Sequence, residues 1–318
     1  MSVLSVILPS YNEEQMIKTA AETIAALLKA EDIRYELIFV DDGSYDRTWE
    51  KIEDVSSCDP RIRGIHLSRN FGKEAAIIAG LTEARGDCCV VIDCDLQHPP
   101  EKIIDMYRLW EDGYEVVEGV KNNRGEESVL HRTAAKCFYS VLSAATGFDM
   151  SNASDFKLLD RKAVNVIVNM QEKKAFFRAM SSWIGFKTIS IPFDVRERTA
   201  GDSKWSKMAL SKYAVQNITS FSAAPMHIVT LLGTLMLIVS LVMGIIAIVQ
   251  KISGVALGGF TTVIILQLFS SSIIMLSIGI IGYYVARIFE EVKNRPIYII
   301  SERCGENERG EARKREDI

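Results

Sequence analysis

The sequence predicts an α/β domain built on a mainly parallel sheet, followed by a two-helix transmembrane hairpin. Three observations predict it. Between Val3 and Ile104, short apolar runs alternate with segments of helical apolar spacing, the signature of repeated β-α units. Each apolar run ends in a charged or polar motif, and ligands of open α/β sheets bind beyond the carboxyl ends of strands. From Phe221 to Ala286 the chain carries one charged side chain, Lys251, whereas soluble helices rarely run so far without charge.

Val3 to Leu8 reads as a buried strand stopped by Pro9, and Glu13 to Leu28 as a helix with Ile17, Ala21, Ile24, Leu27 and Leu28 at helical spacing. Glu36 to Val40 is a second strand ending at Asp41-Asp42-Gly43-Ser44, and Asp46-Arg47-Thr48 starts a helix through Val55. Ile62 to Leu67 is a third strand, followed by Arg69-Asn70-Phe71-Gly72-Lys73 and a helix to Ala84. Cys88 to Ile92 is the fourth, leading into Asp93-Cys94-Asp95. Pro99-Pro100-Glu101 opens another helix, because proline suits the first turn. A helix from Ser128 to Ala145 and a strand from Phe156 to Leu159 follow.

The expected organisation is a catalytic-type domain over 1–200, an amphipathic juxtamembrane segment over 201–225, a membrane region over 226–286, and an interfacial segment and charged tail over 287–318. The two crossings fall at 226–250 and 260–286, each meeting the roughly 20 apolar residues a bilayer requires. Trp205, Met208 and Tyr213 interleaved with Lys204, Lys207 and Lys212 suit a membrane interface. The tail from Glu302 to Ile318 is highly charged and is expected to be disordered. Lys204, Lys207 and Lys212 precede the hairpin and Arg287, Lys293 and Arg295 follow it, while the tip has only Lys251. The positive-inside rule then puts the large domain and both termini in the cytoplasm of an integral membrane protein.

With 318 residues and a formal net charge of -4, the chain shows no electrostatic footprint for nucleic acid. Its start lacks the basic n-region of a signal peptide. The six cysteines show no metal-ligand spacing, and the cytoplasmic placement argues against disulfides.

The segment at the end of the fourth strand carries the chemistry. Strand alternation puts Asp93 and Asp95 on one face and turns Cys94 away from it. Two such carboxylates can hold a divalent cation that bridges the phosphates of a nucleotide; two solvated loop carboxylates are the plainer alternative. Four motifs at strand ends, in register, imply one nucleotide-binding crevice.

On these residues the chain resembles family 2 glycosyltransferases of the GT-A fold, in the polyprenyl-phosphate branch. The matching segments are Pro9-x-Tyr11-Asn12-Glu13-Glu14, Asp41-Asp42-Gly43-Ser44-x-Asp46-x-Thr48, Arg69-Asn70-x-Gly72-Lys73, Asp93-x-Asp95-Leu96-Gln97-His98-Pro99-Pro100-Glu101, Ser154-Asp155-Phe156-Lys157-Leu158 and Arg198-x-x-Gly201-x-Ser203-Lys204-Trp205. The resemblance implies that Pro9, Tyr11, Asn12, Glu13, Asp41, Asp42, Lys73 and the Asp93-Cys94-Asp95 segment bind the nucleotide sugar. It implies that Asp93 and Asp95, with Gln97 nearby, hold Mg²⁺ or Mn²⁺. Arg198, Ser203, Lys204 and Arg132 would bind phosphate. Several of these residues have plain structural readings as well: Asp42-Gly43-Ser44 is good turn and cap chemistry, His98 before two prolines is more often structural than a ligand, and Arg132 suits a solvated helix face.

Asp93, Asp95 and Asp155 are the candidate catalytic residues. In related enzymes the equivalent of Asp155 is usually assigned as a general base. A phosphate monoester has a second pKa of about 6 and is mostly ionised at pH 7, so acceptor positioning and sugar binding stay open beside that role.

The expected activity is transfer of a hexose, from UDP-glucose or UDP-N-acetylglucosamine, to polyprenyl (undecaprenyl) phosphate with inversion. The resemblance also implies a homo-oligomer, a tetramer in relatives, and Gly279, Gly282 and Ala286 offer small residues for close helix packing. A GDP-mannose-dependent mannosyltransferase and a membrane polysaccharide synthase are the enzyme alternatives; the Q-x-x-R-W sequence of the latter is absent. A non-catalytic membrane scaffold is the alternative of another class, and intact Asp93, Asp95 and Asp155 argue against it.

Overall fold

The computed structural model describes residues 2–122, 154–170, 177–194, 224–254, 259–293 and 295–305. In chain order these form β1 (Val3–Ser10), α1 (Ile17–Ala30), β2 (Arg34–Asp41), α2 (Thr48–Cys58), β3 (Ile62–Leu67), α3 (Lys73–Glu83), β4 (Cys88–Val91) and α4 (Lys102–Glu111). There follow β5 (Val116–Lys121), β6 (Lys157–Asp160), α5 (Arg161–Asn169), α6 (Phe177–Trp183), β7 (Thr188–Phe193), α7 (Ala224–Ile252), α8 (Phe260–Val292) and β8 (Ile300–Cys304). The chain divides into two compact units, Met1–Ser206 with Pro296–Ile318, and Lys207–Arg295.

In the first unit the described strands form one sheet of order β7-β5-β6-β4-β1-β2-β3-β8. The β4-β1-β2-β3 heart is parallel. Its strands are continuous apolar runs because both faces are covered. One face packs Leu4, Val6, Leu37 and Phe39 against Ile17, Ile24 and Leu28 of α1. The other packs Ile7, Ile38 and Val40 against Ala76, Ile77 and Ala79 of α3. Gly80 of α3 is required here, since a Cβ would fall 2.3 Å from Cγ2 of Ile7.

β1 runs through Pro9 instead of stopping at it, and Pro9 pairs with Val40 of β2. Ile7 accepts from Ile92 N at 3.0 Å, so alternate residues of β1, Pro9 included, face the β4 side. Pairing with β4 ends at Ile7, and the missing proline N–H costs no ladder bond. Helix α1 starts at Ile17, later than Glu13, because Asn12 sits at φ 55° and Glu13 closes a turn by accepting from Met16 N.

β5, β7 and β8 extend the sheet beyond the predicted strands. β8 corrects the expectation of a disordered tail for Glu302, Arg303 and Cys304; residues 306–318 lie outside the described residues. It pairs antiparallel with β3, Trp49 Nε1 donates to Glu302 at 3.1 Å, and Arg303 reaches Glu83 at 3.1 Å.

In the second unit α7 and α8 pack against each other. Val229–Gln250 and Leu266–Ala286 are long and apolar enough to cross a membrane. Many of their described apolar side chains are exposed, Leu231 at 70% and Met275 at 70%. A Cβ at Gly279 or Gly282 would meet nothing within 4 Å, so neither glycine serves a close approach among the described residues.

Candidate active site

The loops after β1, β2, β3 and β4 converge at the carboxyl end of the sheet. The first two are laced together. Asn12 N donates to Ser44 Oγ at 2.8 Å, Tyr45 N donates to Asn12 Oδ1 at 2.9 Å, and Glu13 N donates to Thr48 Oγ1 at 2.9 Å. The Tyr11 and Tyr45 rings meet edge to face, with centroids 6.5 Å apart. Pro9, Tyr11, Asn12, Glu13, Asp41 and Asp42 therefore gather at one rim.

Asp41 and Asp42 take the turn-and-cap roles that the sequence allowed. Asp41 is fully buried; Ser44 N donates to it at 3.1 Å and His66 Nδ1 lies 2.7 Å from its other oxygen. Asp42 accepts from Phe71 N at 2.7 Å and Gly72 N at 2.8 Å. Those amides lie at the α3 N-terminus, where backbone donors lack helical partners and a negative charge is favoured. Gly43, at φ 63°, lets the turn press on the next loop: a Cβ there would lie 2.3 Å from the Arg69 carbonyl carbon. Gly72, at φ 102°, then turns the chain so that Lys73 opens α3.

Beyond Val91 the chain leaves the strand, so Asp93-Cys94-Asp95 lies in a turn and not on a strand face as expected. Leu96, at φ 54°, donates back to Asp93 O at 3.4 Å. Cys94 is buried in the core and turned away, as predicted, though by the turn. Asp95 Oδ1 accepts from the backbone N of Gln97 at 3.1 Å. His98 is buried, stacked on Phe156 with centroids 5.2 Å apart and edge-on to Phe193 at 5.2 Å. Its Nδ1 has no hydrogen-bond partner among the described residues and sits 3.8 Å from Asp93 Oδ2.

The charged centre draws on four segments of the chain: α3, the turn after β4, the residues before β6, and α6. Lys73 Nζ lies 2.6 Å from Asp93 Oδ1 and 2.8 Å from Asp155 Oδ2. Arg178, on α6, donates Nε to Asp155 Oδ1 at 2.7 Å and Nη2 to Oδ2 at 2.9 Å. Burial alone would push the Asp155 carboxyl up, but Lys73 and Arg178 outweigh it and hold it well below the usual carboxylate range. Burial opposes the Lys73 charge, and Asp155 and Asp93 more than restore it. Asp93 is held down in turn, with Lys73 the main charge acting against burial. Beside them Glu74 accepts from Phe177 N at 2.9 Å and is pushed up to about 7, first by burial and then by Asp155.

Arg178 and Glu74 were not expected from the sequence. The signal for Arg178 is a lone cation among Phe177, Ala179 and Met180, all buried. Its helix is anchored from below: Lys157, fully buried, pairs with Glu118 and donates to Ser181 Oγ at 2.6 Å, and Ser181 Oγ donates to Arg178 O at 3.0 Å. Arg132, Arg198, Ser203 and Lys204 lie outside the described residues.

Asp93 and Asp95 offer hard oxygen donors of the kind Mg²⁺ and Mn²⁺ prefer. Among the described residues, however, no three His, Cys, Asp or Glu side chains converge as a ready metal cage. The donors fit such a cation as partial ligands that a substrate would complete.

The sheet is mainly parallel at its heart and carries its polar centre at the carboxyl strand ends, where open α/β sheets bind ligands, and the sequence comparisons identify the family. The chain belongs to glycosyl transferase family 2, whose model matches residues 5–180, and it is a glycosyltransferase. It is 38% identical over 308 residues to the uncharacterized glycosyltransferase YkcC of Bacillus subtilis, covering 96% of this chain and 95% of that one. It is 34% identical over 299 residues to a prophage bactoprenol glucosyl transferase homolog of Escherichia coli, covering 93% and 98% of the two chains. Among solved structures, glucosyl-3-phosphoglycerate synthase of Mycobacterium tuberculosis, in complex with Mn²⁺ and UDP, aligns with a TM-score of 0.48 at 20% identity, over 70% of this chain and 80% of that one.

Proposed function

We propose that this glycosyltransferase moves a hexose, glucose in the first instance, from a UDP-sugar to polyprenyl phosphate at a membrane surface. The observation that carries this reading is the 34% identity to a bactoprenol glucosyl transferase homolog over 93% of the chain, a span that takes in both apolar helices. An acceptor anchored in a bilayer explains why a soluble α/β domain is joined to such helices.

Asp93 and Asp95, with Gln97 close by, would hold the divalent cation. When bound, that cation stabilises the charge that develops on the departing nucleoside diphosphate. The chain's own groups do the rest. The rim built from Pro9, Tyr11, Asn12 and Glu13 seats the nucleoside. Arg178 holds Asp155 by both oxygens before substrate arrives, so little reorganisation is needed there during reaction.

Asp155 acts as a positioning group and not as a base. Both of its oxygens are engaged by cations, and its carboxyl is held well below the ordinary range. A phosphate monoester ionises at about 6 without help. Moving its proton to Asp155 would run uphill, whereas a fixed carboxylate can accept hydrogen bonds from sugar hydroxyls. The acceptor oxygen attacks the anomeric carbon directly as the diphosphate leaves, and one displacement inverts that centre. Orientation supplies much of the acceleration.

The test is sugar transfer by the full chain in liposomes containing undecaprenyl phosphate, with a panel of labelled UDP- and GDP-sugars, with and without a chelator. Chelator-sensitive glucosyl lipid from UDP-glucose supports the reading. Product only from GDP-mannose moves it to a mannosyltransferase, and polymer without lipid product moves it to a polysaccharide synthase.

A further inference from the structure

Asp93 and Asp155 bring two negative charges to the centre, and Lys73 and Arg178 match them with two positive ones. Lys73 spends its ammonium on both carboxylates, 2.6 Å from Asp93 and 2.8 Å from Asp155. Arg178 gives Asp155 two hydrogen bonds. The ammonium thus neutralises a carboxylate on which a divalent cation would draw. A second observation agrees: no three-ligand acidic or imidazole cage exists among the described residues, and hard divalent cations want about six oxygens.

We infer that Lys73 is a resident counter-cation that keeps the divalent metal off the empty enzyme until a nucleoside diphosphate draws it away. The idea rests on the nucleotide-sugar reading above and deepens it. Lys73 is built for such a transfer. It stands in the first turn of α3, directly after Gly72 at φ 102°, and its side chain keeps 41% of its surface exposed although its ammonium touches two carboxylates. A lysine is a point charge on a flexible stem and can change partners without the fork geometry that fixes an arginine. A diphosphate offers it a stronger anion than Asp93. With Lys73 drawn to the diphosphate, the Asp93 carboxylate would be free to help hold a divalent cation beside it. Metal and nucleotide bind as a coupled pair, and the coupling is reciprocal.

The experiment measures Mn²⁺ binding to the full-length protein in detergent by the electron paramagnetic resonance of free Mn²⁺, with and without UDP, and UDP binding separately by calorimetry. Wild type is expected to bind Mn²⁺ weakly alone and at least about tenfold more tightly with saturating UDP. Lys73→Met and Lys73→Gln are expected to bind Mn²⁺ alone about tenfold more tightly than wild type, and Lys73→Arg to keep the exclusion. Tight Mn²⁺ binding by the wild type without UDP overturns the inference. So does unchanged or weaker Mn²⁺ binding in both neutral variants, provided their circular dichroism and melting match wild type. Should one neutral variant fail to fold, the other decides. If neither UDP nor GDP binds to any protein, the donor reading falls, while the Mn²⁺ affinities of the variants still report whether Lys73 excludes the cation.

Discussion

Arg178 clasps Asp155 through two hydrogen bonds, Nε to Oδ1 at 2.7 Å and Nη2 to Oδ2 at 2.9 Å. This joins a helix after the sixth strand to a residue two positions before that strand. It fixes the carboxylate plane as one bond could not. Lys73 then completes the neutralisation of Asp155 from α3.

The clasp makes Arg178→Lys a sharper test than Arg178→Ala. Lysine keeps the charge but loses the planar fork. We expect kcat to fall by about 10²-fold with KM for the nucleotide sugar little changed, because the loss is of orientation at the reacting centre. Steady-state kinetics on the two substrates check this. A Lys variant with wild-type kcat would show that charge alone matters.

Glu74 predicts a pH dependence of stability. Its carboxyl is pushed up to about 7 in the fold, from an unfolded value of 4.5. A raised folded pKa means that the native state binds the proton more tightly. The contribution is full below the unfolded value and is lost as pH rises through about 7. Glu74→Gln keeps a neutral group there, so its stability relative to wild type should improve between pH 5.5 and pH 8. Denaturant melts of both proteins across that range decide it; a constant difference contradicts the assignment.

His98 fills an aromatic slot. It stacks on Phe156 and meets Phe193 edge-on, and burial keeps the imidazole neutral by lowering its pKa. His98→Phe should preserve the fold with a stability change of about 1 kcal/mol or less, whereas His98→Ala should cost about 2–4 kcal/mol through the cavity it leaves. Equal losses in both variants would show that the imidazole nitrogens, and not the ring, hold the site.

β8 closes the β3 edge. Truncation after Ile299 would uncover the backbone partners of Gly64, Ile65 and His66, leaving an open strand edge prone to association. We expect the shortened protein to melt lower and to aggregate in size-exclusion chromatography. Unchanged melting would mean that the strand contributes nothing to the domain.

The alternation of β1 to β4 with α1 to α4 was legible because each element is a continuous apolar run or a helical stripe with turn chemistry at its ends. The individual members of the site, Asp93, Asp155 and Lys73, were legible from the motifs that hold them. Their convergence was not, since it depends on β6 entering antiparallel beside β4. Arg178 was hidden for the same reason: a single arginine in an apolar helix has no partner in its own neighbourhood. β8 was hidden by its composition. Glu302 and Arg303 read as a charged tail, yet an edge strand needs little apolar surface when its pairing and its ion pairs lie at the rim. Asp41 shows the reverse case, a motif residue whose burial against His66 and Ser44 makes it part of the scaffold on which the rim stands.

One measurement tests the central claim most directly. Purified full-length protein in liposomes with undecaprenyl phosphate, Mg²⁺ and radiolabelled UDP-glucose is assayed for organic-extractable label, beside Asp93→Ala. The account predicts labelled lipid from the wild type and its loss in the variant. Labelled lipid from Asp93→Ala at the wild-type rate, or none from the wild type with any nucleotide sugar although UDP binds, would contradict it.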